Sequence, residues 1–462
     1  MKKIILSFMI AGLILSCAKA KKEETIAKTD TEVVEKDAET LLTVNAEMME
    51  NAVIYEANIR QYSEEGSFKA FTKDIPVLKE LGVKILWIMP IYPISITKSK
   101  GSLGSYYAIS DYTKVNPEFG TIEDFRELVK TAHDNGIYVI LDWVANHTGW
   151  DHTWLKDHPD YYTKDKDGNI THTVGTDWTD VADLNYDNVE MREQMKNDMI
   201  YWIKEEGVDG FRCDVAGMVP VDFWDNTVAE LKKIKPVFML AEGWEPELMK
   251  NAFDMGYGWD THHKMNDIAQ GKANVEEWDK RMAQIDSMYA ADDILMNFTS
   301  NHDENSWNGT VKERMGDSGE MFAALSYVAP GMPLIYSGQE YDMDKRLLFF
   351  EKDTIIKKKR KFFPLYKKLG ELKNTNPALH GGKNAASYTR LKTSQDDKVL
   401  AFVREKEEKK VVFIANMNKT PITFKVTFTG KFKDYLSEET IEGSPDKELQ
   451  FKPWQYKILI KE

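Results

Sequence analysis

The chain has 462 residues, more than one ordinary hydrophobic core organises, so two or more domains are expected. Its 42% hydrophobic and 11% aromatic content can build them, and a net charge of −14, from 61 basic and 75 acidic residues, sets nucleic acid aside as a partner. Two cysteines, Cys17 and Cys213, cannot form a disulfide framework.

Taken in chain order, Lys2 and Lys3 precede an apolar run over 4–15, which is too short to span a bilayer and fits the core of a secretory signal. The run ends Ile14-Leu15-Ser16-Cys17, which resembles the lipobox of bacterial lipoproteins. That resemblance implies a signal peptide over 1–17, a lipid on Cys17 and export to a bacterial membrane, the outer one by expectation. A plain signal peptide is the alternative. Next come mostly Lys, Glu, Asp and Thr with few large apolar residues, so 18–46 is expected as a disordered tether.

Residues 53–56 read as a first strand. Phe71, Ile75, Leu78 and Leu81 predict a helix over 68–81, with Gly82 as its C-terminal cap. The run 84–90 is a second, fully buried strand, 121–136 is a helix opened by Thr121, Glu123 and Asp124, and 137–143 is a third strand. The apolar pattern then stops until about Tyr186, which predicts an inserted subdomain over about 147–187. Loops of that length are usually functional. Within it, 165–169 is faintly like a calcium loop but lacks the later ligands and the closing Glu, so it reads as a hairpin turn. A helical run over 198–207 leads into a strand over 208–215. Further strands are expected over 237–242, 259–265, 293–299 and 333–337. Apolar strands alternating with helices predict an α/β fold, a (β/α)8 TIM barrel over 47–378. A Lys-rich helix over 358–373 follows. Alternating polar and apolar residues over 398–403, 410–414, 423–428 and 447–460 predict a C-terminal antiparallel β domain, a β-sandwich over 379–462.

The chemistry sits at the strand ends. Apolar runs lead to Asp142, Asp214, Glu242 and Asp303. Strand alternation puts Arg212 and Asp214 on one face and Phe211, Cys213 and Val215 on the other, with Cys213 a buried apolar residue. A single Arg-x-Asp is more often a structural ion pair. Repetition at four strand ends changes the balance, because a parallel barrel brings those ends to one face. Four acids would meet there with His147, Arg212 and His302, and burying such charges is costly unless they have work to do. Converging carboxylates with aromatic walls suit glycoside hydrolysis. Asp214, kept ionised by Arg212, is the expected nucleophile. Glu242, after four apolar residues, is expected to be desolvated and so to act as acid/base.

The strand ends Asp142-Trp-Val-Ala-Asn146-His147, Gly210-Phe-Arg212-Cys-Asp214, Ala241-Glu242-Gly243 and Asn301-His302-Asp303 resemble those of the α-amylase superfamily of retaining glycoside hydrolases. Val181-Ala-Asp183 in the insert and 331–340 resemble its secondary signatures. The resemblance implies an α-glucan or maltooligosaccharide substrate cleaved at α-1,4 bonds, with Asp214 as nucleophile, Glu242 as acid/base and Asp303 holding sugar hydroxyls. It implies that Tyr107, His147, Arg212 and His302 line the cleavage subsite with Asp142 supporting them. Asn146 and Asp183 match family calcium ligands, while Val215-Ala216-Gly217-Met218 lacks the usual Lys-His. No organic cofactor is implied. The alternatives are a transglycosylase or an α-1,6-acting relative and, from other classes, a non-catalytic glucan-binding barrel or a metal-dependent barrel hydrolase. The intact acids stand against the binding barrel, and the lack of an early His-x-His pair stands against the metal-dependent one.

Overall fold

Eight short strands close a parallel barrel in strict sequence order: β1 Ile54–Ala57, β2 Ile85–Ile88, β3 Tyr138–Trp143, β4 Gly210–Cys213, β5 Phe238–Ala241, β6 Met255–Tyr257, β7 Ile294–Asn297 and β8 Met332–Tyr336. This computed structural model describes residues 42–461, so the signal peptide, Cys17 and nearly all of the tether lie outside the described residues. Both faces of each strand are covered. Ile54, Ile85, Trp87, Ile140, Leu240, Met296 and Leu334 pack inside the barrel, while Tyr55, Leu86, Val139, Phe211 and Cys213 pack outward on the helices. Among the described residues no helix is long and apolar enough to cross a membrane.

Several expected elements move. The helix over 68–81 is two short ones, Phe68–Thr72 and Ile75–Glu80. Pro76 opens the second; it has no N–H to donate, so it cannot continue the first. The strand over 259–265 is instead the start of helix Trp259–Gln270, and β6 is the three residues before Gly258. Helical spacing is visible there in the buried His262, Met265 and Ile268–Ala269. The helix before β4 spans Val189–Lys204, capped by the Asn188 side chain. The helix after the barrel spans Phe362–Thr375 and carries Pro364 in its first turn, where proline is tolerated.

The insert after β3 pairs His147–Gly149 with Val181–Asp183. Its 165–169 segment is a turn: Asp165 donates its N–H to the Asn169 carbonyl at 2.8 Å, and its side chain accepts from the Asp167 and Asn169 amides. At the C-terminus a six-stranded antiparallel sheet is joined by the strand pair Ile422–Val426 and Lys447–Phe451. The range 447–460 thus divides, Tyr456–Lys461 entering the large sheet. One sheet face, with Leu400, Phe402, Val411 and Phe413, joins the barrel's outer core. The other, with Val399, Ala401, Val412 and Ile414, packs on Phe424, Val426 and Phe451.

Candidate active site

Parallel register sets Asp142 of β3 beside Arg212 of β4. Arg212 Nη1 lies 2.8 Å from Asp142 Oδ1 and 3.0 Å from Asp214 Oδ1, and its Nη2 lies 2.9 Å from Glu242 Oε2. One guanidinium thus serves three carboxylates. It is also flanked by the rings of Trp87 and Tyr257, with the Tyr257 hydroxyl accepting from Nε at 3.3 Å. Asp142 receives the Trp87 indole N–H and the Tyr107 hydroxyl, both at 3.1 Å.

These contacts correct three expectations. Arg212 and Asp142 are fully buried and form the floor under the acids, so neither lines the cavity. Arg212 does not by itself hold Asp214 as an anion, because it is divided three ways. Burial and the charge of Glu242 push the Asp214 carboxyl well above the usual range, against the pull of Arg212. Glu242 is not in an apolar pocket, because it pairs with Arg212 and accepts the Val215 N–H at 2.7 Å. Val215 has φ 37° and ψ 47°, a left-handed conformation that a β-branched residue rarely adopts. Strain of that kind collects at functional sites, and here it turns the amide after Asp214 onto Glu242.

Across the cavity, His302 Nδ1 is 2.6 Å from Glu56 Oε1, and its Nε2 is 2.8 Å from the Tyr107 hydroxyl and 3.3 Å from Asp303 Oδ2. Burial alone would lower the His302 pKa. The carboxylates of Asp303 and Glu56 outweigh it and push it up to about 9, so His302 is an imidazolium at neutral pH. His147 is the opposite case: burial takes it down to about 4, leaving a neutral ring 5.6 Å from Trp178. Glu56, a fully buried carboxylate in β1, is a site residue that the strand-end reading passed over. Its signal was the same one that marked the others, an acid near the end of an apolar strand.

Tyr107, His147, Asp214, Glu242, His302 and Asp303 all line one cavity of about 640 Å³, a size typical of a small-molecule site. Trp178, Trp307, Phe349, Phe350 and Lys100 are among its other walls. They come from loops with no periodic pattern, so only the folded chain brings them there. Asn146 and Asp183, the expected calcium pair, are bridged by Thr173: Asn146 Nδ2 donates to Thr173 Oγ1 at 2.9 Å, and that hydroxyl donates to Asp183 Oδ1 at 2.8 Å. Among the described residues no group of three or more His, Cys, Asp or Glu is placed to hold a metal ion. One carboxylate, one amide and one hydroxyl, already bonded to each other, do not fit an ion that takes six to eight oxygens.

A (β/α)8 barrel that gathers carboxylates and aromatic walls at the C-terminal ends of its strands is the framework of a glycoside hydrolase. The alpha-amylase catalytic domain matches residues 27–173 and 174–377, and the chain belongs to that family. It is 28% identical over 468 aligned positions to alpha-amylase 3 of Dictyoglomus thermophilum, covering 85% of this chain and 90% of that one. A 4-alpha-glucanotransferase of Thermotoga neapolitana is 31% identical over 60% of this chain and 68% of its own. Among solved structures, a noncanonic maltogenic alpha-amylase from Thermotoga neapolitana superposes with a TM-score of 0.82 at 30% identity, over 89% of this chain and 98% of that one. An alpha-amylase from Lactobacillus plantarum gives 0.81 at 30% identity, over 90% and 100%.

Proposed function

We propose that the enzyme hydrolyses α-1,4-glucosidic bonds of starch or maltooligosaccharides with retention of configuration. The observation that carries this reading is the pair Asp214 and Glu242 on one guanidinium, facing Asp303 across one cavity. In the first step Glu242 protonates the glycosidic oxygen as Asp214 attacks the anomeric carbon, forming a glycosyl ester and releasing the leaving chain. In the second, Glu242 takes a proton from water, the water attacks the same carbon, and Asp214 leaves. Asp303 and the His302 imidazolium bind sugar hydroxyls and stabilise the oxocarbenium-like transition state. The test is release of reducing sugar from soluble starch, maltooligosaccharides and pullulan. Turnover of none of them by the folded protein would return it to the glucan-binding class.

A transferase reading has one observation in its favour. Met218 and Trp244, on the β4 and β5 rim beside Glu242, are 53% and 49% exposed, an apolar face that could seat an acceptor sugar in place of water. Incubation with concentrated maltotriose then gives products longer than the substrate.

Two further outcomes follow from the site. Glu56→Gln is expected to lower the His302 pKa from about 9, leaving Asp303 as the remaining carboxylate against burial and the charge of Arg212. The alkaline limb of kcat/KM then moves down by about one to two pH units, and an unmoved limb contradicts the imidazolium role. Because the His302 pKa is raised in the fold, its stabilising contribution is complete below 6.5 and is lost as pH rises through about 9. Asn146, Thr173 and Asp183 are hydrogen-bonded to one another, so chelation by EDTA is expected to leave the thermal midpoint unchanged. A fall would reveal oxygen donors beyond Asn146, Thr173 and Asp183. For the N-terminus, the Leu15-Ser16-Cys17 sequence supports a lipid anchor on Cys17 and a membrane location.

A further inference from the structure

The loops around the cavity are joined very unevenly. The segment after β2 is tied to the insert at several places. Asp151 accepts the Ile96 and Thr97 amides at 2.6 and 2.8 Å, and Lys100 Nζ donates to the Asp177 carbonyl at 2.8 Å and pairs with Asp180 at 3.2 Å. The same segment is tied on its other side to the loop after β8. Leu103 donates its N–H to the Phe350 carbonyl at 3.2 Å, and Ser102 donates its amide to the Glu351 carboxylate at 2.9 Å. Gly101, at φ +65°, lets this join close, because a Cβ there would sit 2.4 Å from that of Phe350. Trp307, from the loop after β7, then packs on Phe349 and Phe350 with ring centroids 5.2 and 6.0 Å away. A continuous wall therefore runs through the loops of β7, β8, β2 and β3, behind Tyr107, His302 and Asp303. The arc at β4 and β5 carries Asp214, Glu242 and the half-exposed Met218 and Trp244.

This layout has a direction. The acid that protonates the leaving oxygen must sit on the leaving-group side, and Glu242 is on the open arc. The sugar retained on Asp214 therefore faces the wall. We propose that the wall makes the cavity a dead end for the non-reducing end of the glucan, so that the enzyme cuts short units from chain ends, and that Lys100 is the specificity-determining residue that closes it. The proposal rests on the hydrolase reading and adds to it where along the chain the bond is cut. A groove open at both ends would let a polymer run past the acids. Here the Lys100 ammonium, held by Asp180 and the Asp177 carbonyl, lines the cavity and offers a charged donor to the terminal hydroxyls.

The experiment compares maltoheptaose derivatives with a free and with a 4,6-ethylidene-capped non-reducing end, following loss of starting material by chromatography. The wild type is expected to consume the free form at least about 100-fold faster, because a cap that does not fit a closed pocket is excluded sterically. Lys100→Ala is expected to narrow that ratio at least about tenfold by opening the wall, and Lys100→Arg, which can keep both contacts, is expected to hold it near the wild-type value. Equal consumption of the two forms by the wild type overturns the dead end. A ratio unmoved in Lys100→Ala overturns the role of Lys100. Consumption of neither form overturns the hydrolase reading, and the dead end with it.

Discussion

Asp214→Asn is expected to lower kcat/KM on maltooligosaccharides by about 10,000-fold or more, since loss of a nucleophile removes the covalent route entirely. Asn fills the same space but cannot form the ester, so the loss falls on kcat while binding persists. The variant is also expected to be at least as stable as the wild type. Burial and Glu242 raise the Asp214 pKa above its ordinary 3.8, so the folded state binds a proton more readily than the unfolded one. The contribution of Asp214 to wild-type stability therefore falls as pH rises above 3.8, and a neutral Asn escapes that loss. Thermal midpoints at pH 5 and pH 8 check the sign, because the advantage of the variant should grow with pH. A variant that is inactive and also markedly destabilised would mean that Asp214 holds the floor together, as a structural partner of Arg212.

The second large effect is expected at Glu242. Glu242→Gln should lower kcat about 100- to 10,000-fold on maltooligosaccharides, the usual contribution of a positioned acid/base. The first step needs a proton only when the leaving group is poor. An α-glycosyl fluoride carries its own good leaving group, so its loss in that step should be far smaller. Equal losses on both substrates would contradict an acid role and leave Glu242 as an electrostatic partner of Arg212 and the Val215 amide.

The barrel was legible because strands buried on both faces are written as unbroken apolar runs, and each ends where the active face begins. Asp142 and Glu242 are the first charged side chains to end their runs, Asp214 follows Arg212 at the end of its own, and Asp303 comes soon after the last, so topology brought them together. The exceptions have local causes. β6 has only three residues, too few for a pattern to register, and the strand expected over 259–265 falls where the chain turns helical. Pro76 lay inside a helical period that it interrupts. What Arg212 does was legible only in part. Strand alternation placed it beside Asp214, but its division among three acids depends on β3 and β5 approaching from either side. The aromatic walls and Lys100 were illegible for a different reason. They sit on loops whose positions are set by tertiary ties such as Asp151 to the Ile96 amide, and no period in the sequence records such ties.

In a retaining cycle a glycosyl group passes through Asp214. The most direct measurement incubates the enzyme with a 5-fluoro-α-glycosyl fluoride, which forms the ester quickly and releases it slowly, and maps the label by peptide mass spectrometry. One sugar per chain is expected, carried on the peptide that contains Asp214. A label on another residue, or steady turnover with no label and a β-configured first product, would contradict it.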